Sequence, residues 1–163
     1  MSTRKSTKKA KPLKAIAVFK GPVEGEVVIT DVKGGVRINA FFTKLPKGKH
    51  GFHIHKAGDL RGEGCKGLCE HYDVGKHMHG GAPSKGAMST MRHTGDLGNI
   101  ELRGGRCKRR YTVKKTSVRE LWGRSLIIHA DEDDLGKGGF PDSAITGHSG
   151  ARMACAILGR GLC

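Results

Sequence analysis

Gly51-Phe-His-Ile-His55 alternates apolar and histidine side chains with the two-residue period of a β-strand. Residues two apart in a strand face the same side, so Phe52 and Ile54 project together and His53 and His55 project the opposite way. Phenylalanine and isoleucine suit a hydrophobic core, which leaves both imidazoles outside it. Two ordinary surface histidines would give the same pattern, so the rest of the chain must distinguish a metal site from a polar strand face.

Seven further segments have the composition of short strands. They lie at residues 14–20, 25–31, 36–42, 97–103, 111–118, 125–130 and 153–158. Loops at about 57–96 and 131–152 are longer than compact domains usually contain unless the loops carry function. Eight short strands and no convincing helix predict an all-β antiparallel sandwich or barrel.

Composition and charge restrict the class of protein. The 163 residues fit one domain, and 30 Lys and Arg against 15 Asp and Glu give a net charge of +15. Residues 1–14 contain six of these bases and no acid, so they are predicted to be a disordered tail that serves as a soluble, mobile extension, the alternative being contact with nucleic acid or another polyanion. This tail lacks the apolar segment of a secretory signal, and no apolar run could span a bilayer. We therefore expect a cytoplasmic protein without membrane contact.

More histidines and one carboxylate extend the candidate site. His71, His79 and His93 are spread over the first long loop, Asp96 follows three residues after His93, and His129 ends a strand-like segment. Neutral imidazole suits both copper and zinc, and a carboxylate can complete a tetrahedral zinc site. The five cysteines lack zinc-finger spacing, and reduced thiols are the default for cytosolic proteins. The pattern therefore favours a metal site built mainly from imidazoles.

Four motifs follow one another along the chain. They are Gly51-Phe-His-Ile-His55, Gly95-Asp-Leu-Gly-Asn99, Ile128-His-Ala-Asp-Glu-Asp-Asp-Leu-Gly-Lys-Gly-Gly139 and Thr146-Gly-His-Ser-Gly-Ala-Arg-Met-Ala-Cys155. Together they resemble the Cu,Zn superoxide dismutase family in its eukaryotic type. The resemblance implies an eight-stranded antiparallel Greek-key β-barrel, an immunoglobulin-like sandwich, over residues 15–163. It also implies long metal-binding and electrostatic loops.

The same resemblance implies one copper ion and one zinc ion per subunit, each with its own ligands. The copper ligands would be His53, His55, His71 and His129. The zinc ligands would be His71, His79, His93 and Asp96. His71 would thus bridge the two ions as an imidazolate.

Three further roles rest on the resemblance. Asp133 would hydrogen-bond His53 and His79, although an ordinary acidic loop residue would also fit its sequence context. Arg152 would stand over the copper and attract an anion. Cys65 and Cys155 would form a disulfide within the subunit, the alternative being two buried thiols.

The implied activity is the conversion of two superoxide radicals to dioxygen and hydrogen peroxide. Copper would be alternately reduced and oxidised, with Arg152 and His71 in catalytic roles and zinc in a structural role. Two competing interpretations are a non-catalytic metal buffer and a copper-delivery protein. A buffer needs no anion-attracting Arg152, and copper-delivery proteins usually carry Cys-x-x-Cys or Cys-x-Cys, neither of which occurs in this sequence.

The resemblance also predicts a homodimer. Its interface would include Gly58, Leu121, Trp122, Gly123 and Ile157. Trp122 is the only tryptophan, and an aromatic side chain suits the centre of an interface. The alternative for Trp122 is a position in the core.

Overall fold

The computed structural model describes residues 12–84 and 91–161, so most of the predicted basic tail lies outside the described residues. Within the described ranges the chain forms nine strands, two single-turn α-helices and one short 3₁₀ helix at Lys66–Leu68. The strands are β1 (Lys14–Phe19), β2 (Glu24–Val32), β3 (Gly35–Lys44), β4 (His50–His55), β5 (Asp96–Ile100), β6 (Cys107–Lys114), β7 (Ser125–His129), β8 (Arg152–Ile157) and β9 (Gly159–Arg160), and the α-helices are α1 (Val118–Leu121) and α2 (Ser143–Thr146).

The strands form two antiparallel sheets. One has the order β6-β3-β2-β1-β9 and the other the order β5-β4-β7-β8. The chain crosses from the first sheet to the second between β3 and β4, and again between β6 and β7. The prediction of an all-β antiparallel sandwich is confirmed, and the additional strand β9 is only two residues long.

Two local predictions were wrong. The strand expected at 111–118 begins four residues earlier, at Cys107, because Cys107, Tyr111 and Val113 are the side chains that face the core. It ends at Lys114, and Val118 begins α1. Ser117-Val-Arg-Glu120 is a capping box in which the Ser117 side chain accepts a hydrogen bond from the backbone N–H of Glu120.

The two faces of β4 connect the core to the candidate site. Phe52 and Ile54 are fully buried, and the Phe52 ring packs edge-on against Phe42 with 5.7 Å between ring centroids. His53 and His55 point away from this core, yet they are also buried, at 0% and 1% exposure. The sequence pattern correctly separated the faces but did not show that the long loops cover the histidine side.

Within the residues that the structure describes, no helix is both long enough and apolar enough to cross a membrane.

Candidate metal centre

Four histidines converge on the outer side of β4. His53 and His55 come from β4, His129 ends the neighbouring strand β7, and His71 reaches the site from the first long loop through a backbone bridge with His55. One potential ligand atom from each of the four residues lies within 4.8 Å of all the others, and all four side chains are buried. The ring centroids of His53 and His71 are 4.1 Å apart.

The nitrogens of this cluster that lack partners indicate where an ion would fit. His53 Nδ1, His55 Nε2, His71 Nε2 and His129 Nε2 are buried and make no hydrogen bond. Buried polar atoms without partners are rare in native proteins and cost free energy. Four such atoms in one cluster of neutral imidazoles are a donor set that suits copper.

The other ring nitrogens of three of these histidines are held in place. The Nδ1 atoms of His55 and His129 lie 2.9 Å from the Cys69 carbonyl and 3.1 Å from the Gly150 carbonyl. His53 Nε2 lies 2.7 Å from Asp133 Oδ2. Because each of these nitrogens donates its proton outward, the opposite nitrogen is left free with its lone pair toward the cluster.

A second cluster surrounds the carboxylate of Asp96. Its Oδ1 atom lies 2.8 Å from His71 Nδ1, 3.0 Å from His79 Nδ1 and 3.3 Å from His93 Nδ1. The other oxygen accepts from the backbone N–H groups of Gly80 and His93 at 2.9 and 2.8 Å. Three imidazoles and one carboxylate are a tetrahedral zinc set, in which bonds of about 2.1 Å would separate the donors by roughly 3.4 Å.

The His71 ring belongs to both clusters. Its Nδ1 atom faces Asp96, and its Nε2 atom is among the unpartnered nitrogens of the first cluster. His53 also lies near the second set, but its Nε2 atom is engaged with Asp133. Among the residues described, His71 is therefore the only one whose ring has one nitrogen in each cluster.

Asp133 also links the two clusters, because it contacts one histidine of each. Its Oδ2 atom accepts from His53, and its Oδ1 atom accepts from His79 Nε2 at 2.8 Å. Asn99 in turn pairs with the Asp133 backbone, donating to the carbonyl at 2.8 Å and accepting from the N–H at 2.7 Å. No role for Asn99 was predicted from the sequence, although it is the last residue of the motif Gly95–Asn99.

Arg92 is a second residue whose role the sequence did not predict. It is 6% exposed and donates to the carbonyls of Gly81, Thr94 and Asp96. One guanidinium thus ties together the two ends of the loop segment that supplies His79 and His93. The feature of the sequence that could have indicated this role is the position of Arg92 directly before the candidate ligand His93.

Burial sets the protonation of the metal-free site. Desolvation, aided by the nearby His71, lowers the pKa of His53 to about 3, and desolvation lowers the pKa of His129 to about 4. The pKa of His79, by contrast, is raised to about 9. Burial by itself would lower this pKa, but the hydrogen bonds to Asp133 and Asp96 together have the larger effect. His53 and His129 are therefore neutral at pH 7, the form in which imidazole binds a metal.

Arg152 and the disulfide lie beside the first cluster. Arg152 begins β8 opposite His129, and its guanidinium donates to the carbonyls of Cys65 and Cys69 at 2.9 and 2.5 Å. Cys65 and Cys155 are joined by a disulfide, which confirms the predicted pairing and ties the first long loop to β8. The exposed fraction of Arg152 is intermediate, so an anion can reach it.

An antiparallel β-sandwich with two buried donor clusters that share one imidazole defines a binuclear metalloprotein. The family model for copper/zinc superoxide dismutase matches residues 23–158. The chain therefore belongs to the copper/zinc superoxide dismutase family, whose cofactors are copper and zinc.

Individual relatives agree with this assignment. The chain is 42% identical over 154 residues to a Cu-Zn superoxide dismutase of Paramecium bursaria Chlorella virus 1, covering 91% of this chain and 79% of the relative. It is 38% identical over 161 residues to an extracellular Cu-Zn superoxide dismutase of Drosophila melanogaster, covering 91% and 86%. The crystal structure of the clock protein EA4 superposes with a TM-score of 0.80 at 32% identity, covering 95% of this chain and 99% of that one.

We predict that Asn99→Ala lowers zinc affinity about tenfold, because loss of both backbone hydrogen bonds frees the Asp133 carboxylate that orients His79. Competition with a zinc chelator measures the affinity. Asn39→Ala is the matched control, since Asn39 lies on β3 and contacts Arg110. Equal zinc affinity in the Asn99 variant and the wild type would contradict the prediction.

We predict that Cys69→Gly stabilises the protein. Cys69 has φ 60° and ψ −156°, a backbone conformation that is essentially restricted to glycine and costs other residues about 1–3 kcal/mol. Relief of this strain, less the entropy cost of glycine, should raise the free energy of unfolding by about 1 kcal/mol in denaturant titrations. Cys69→Ala removes the thiol but keeps Cβ and should change little, whereas a less stable glycine variant would contradict the argument.

Proposed function

We propose that the protein is a superoxide dismutase that converts two superoxide radicals to dioxygen and hydrogen peroxide. Family membership supports this activity, and the observation that carries it is the His71 ring with one nitrogen in each donor cluster. When bound, copper supplies the chemistry by accepting an electron from one superoxide and giving it to another. Zinc has a structural role at the second cluster.

The ligand sets that we propose follow the two clusters. Copper is held by His53, His55, His71 and His129, and zinc by His71, His79, His93 and Asp96. The unpartnered nitrogens support the first set, and the three Nδ1 atoms around one Asp96 oxygen support the second. Asp133 is a positioning residue, because it contacts one histidine from each set.

The protein's own groups have distinct tasks in this reaction. Arg152 keeps a fixed positive charge beside His129, since the carbonyls of Cys65 and Cys69 anchor its guanidinium. That charge attracts and orients the superoxide anion. His71 Nε2 can hold a proton destined for peroxide, because its Nδ1 atom is separately fixed by the Asp96 side of the site.

A metal buffer would use the same imidazoles but would not turn over superoxide. Metal analysis of the purified protein combined with a dismutation assay separates the two functions. We expect about one copper and one zinc per chain with fast turnover. Full metal loading without turnover would favour the buffer.

We propose that the chain forms a homodimer through the surface around Trp122. Trp122, Gly58 and Ile157 are partly exposed, and Gly123 is exposed, which leaves these residues available to a second copy. Leu121 is fully buried in its own core, so its role at the interface is to support Trp122. Gly58 packs so closely on the Gly123 carbonyl that a Cβ atom would not fit.

We predict a dimer in size-exclusion chromatography with light scattering at micromolar concentration, with twice the 17.5 kDa chain mass. Trp122→Glu should shift the mass toward the monomer, because it places a charge at the apolar centre of the interface. A monomeric wild type would contradict the proposal.

We also propose a cytoplasmic location, which the exposed free thiol of Cys69 supports, since such thiols persist in reducing compartments. The relative in Drosophila is extracellular, so secretion is the competing possibility. Cell fractionation with a tagged full-length chain distinguishes them.

We predict that Arg152→Ala lowers the dismutation rate about tenfold or more, because the fixed charge that attracts superoxide is lost. The rate of the wild type should fall with ionic strength, and this dependence should weaken in the variant. Arg37→Ala removes an equal charge from β3 in the other sheet and serves as the control. An Arg152→Ala enzyme of normal rate at equal copper content would refute the proposed role.

A further inference from the structure

The five-stranded sheet carries a row of cations on its outer face, on the sheet that does not contribute the ligand strands β4 and β7. Side chains of the edge strand β6 alternate between the core and solvent. Cys107, Tyr111 and Val113 are buried, whereas Lys108 and Arg110 are exposed. Cations two residues apart on a strand are about 6.7 Å apart, so the outer face presents a row of charges instead of a single one.

Neighbouring basic residues extend this row. Arg37 on β3 is paired in register with Thr112, which places it on the same outward face. Arg109 is also exposed at the edge of the sheet, and Arg103 and Arg106 flank the turn that leads into β6. The three cations on the outward face, Arg37, Lys108 and Arg110, form what we call the β6 cation row, and Arg109, which pairs with Ala40 on the inward side, lies at its margin.

The charges of the β6 cation row are not neutralised. Across residues 12–84 and 91–161, the ion pairs of the protein involve none of its three members, although Glu26 lines the adjoining groove. Arg110 Nε donates to the neutral side chain of Asn39 at 3.1 Å, and Lys108 Nζ lies 5.6 Å from the centroid of the Phe41 ring. Uncompensated cations on one face attract anionic partners.

A groove that contains both apolar and polar side chains runs beside the cation row. Its first part has a volume of about 330 Å³ and is lined by Val28, Ala40 and Phe41, by Lys108, Arg109 and Arg110, and by the polar side chains of Asn39 and Glu26. A second depression of about 610 Å³ shares Phe41 and Glu26 with it and continues past Glu24 and Lys20 to Val18, whose side chain is 52% exposed. Phe41 is not a member of the hydrophobic core and is partly exposed, with Lys108 Nζ over its ring.

We propose that this face binds single-stranded nucleic acid. A ligand that fits it must carry a row of negative charges along one side and flat apolar groups along the other. A single strand has this chemistry: its phosphates would contact the β6 cation row, and its bases would lie over Phe41 and the valines of the groove. Proteins that bind single strands combine a basic groove with an aromatic stacking surface in this way.

The site is separate from the metal centre. The cation row belongs to β3 and β6, whereas the metal-centre histidines of the sheets come from β4 and β7. Bound nucleic acid would leave the surface around Arg152 free. The protein can therefore bind nucleic acid and superoxide at the same time.

The test is binding of a fluorescent twelve-nucleotide oligo(dT) to the full-length, metal-loaded protein, measured by anisotropy over a range of salt concentrations. We expect Lys108→Gln/Arg110→Gln to lower the affinity at least tenfold and to reduce the slope of log affinity against log salt by about 1.4, the value for two lost phosphate contacts. Phe41→Ala should lower the affinity about tenfold through lost stacking while preserving the salt slope. Unchanged metal content and melting temperature confirm that each variant is folded.

Lys47→Gln/Lys76→Gln is the matched control, since it removes the same charge from two exposed lysines outside the cation row. It should leave the affinity within about twofold of wild type. An equal loss in this control would assign binding to net charge or to the basic tail and overturn the proposal. Heparin bound as tightly as the oligonucleotide, with no effect of Phe41→Ala on either ligand, would identify a general polyanion surface and also overturn it.

Discussion

The structure depends on a single imidazole being held from both sides. His71 lies in a long loop with little regular structure, so its position must be imposed by contacts from elsewhere. Asp96 fixes one ring nitrogen, and the backbone bridge to His55 fixes the main chain. The disulfide from Cys65 then ties the same loop to β8, closing a sequence separation of 90 residues.

Burying so many polar rings has an energetic cost that the surroundings must offset. Six imidazoles and two carboxylates lie in or beside the two clusters, and most are removed from solvent. Each ring donates a hydrogen bond to Asp133, Asp96 or a backbone carbonyl, whereas the nitrogens facing the first cluster have no protein partner. Copper and zinc would complete this set when bound, which would explain why a polar interior can be maintained here.

Much of the fold was predictable from local patterns, because strand alternation and turn residues act over short distances. Phe52 and Ile54 were assigned to the core from the two-residue period alone. The Cys65–Cys155 pairing came from the resemblance, since spacing cannot reveal a bond across 90 residues. Asn99 and Arg92 were missed because their roles consist of contacts to backbone groups distant in sequence or around a loop. Such contacts leave no periodic signal.

The carbonyl of Cys69 accepts hydrogen bonds from His55 and from Arg152. One peptide plane therefore sets both the tilt of the His55 ring, which we propose as a copper ligand, and the position of the Arg152 guanidinium, which we propose attracts superoxide. Any movement of this short turn must perturb both at once, so evolution cannot adjust substrate capture here independently of the electronic environment of the centre. A change that adjusts only the His55 ring or only the Arg152 guanidinium would have to occur at a residue that contacts one of these side chains and lies outside this turn.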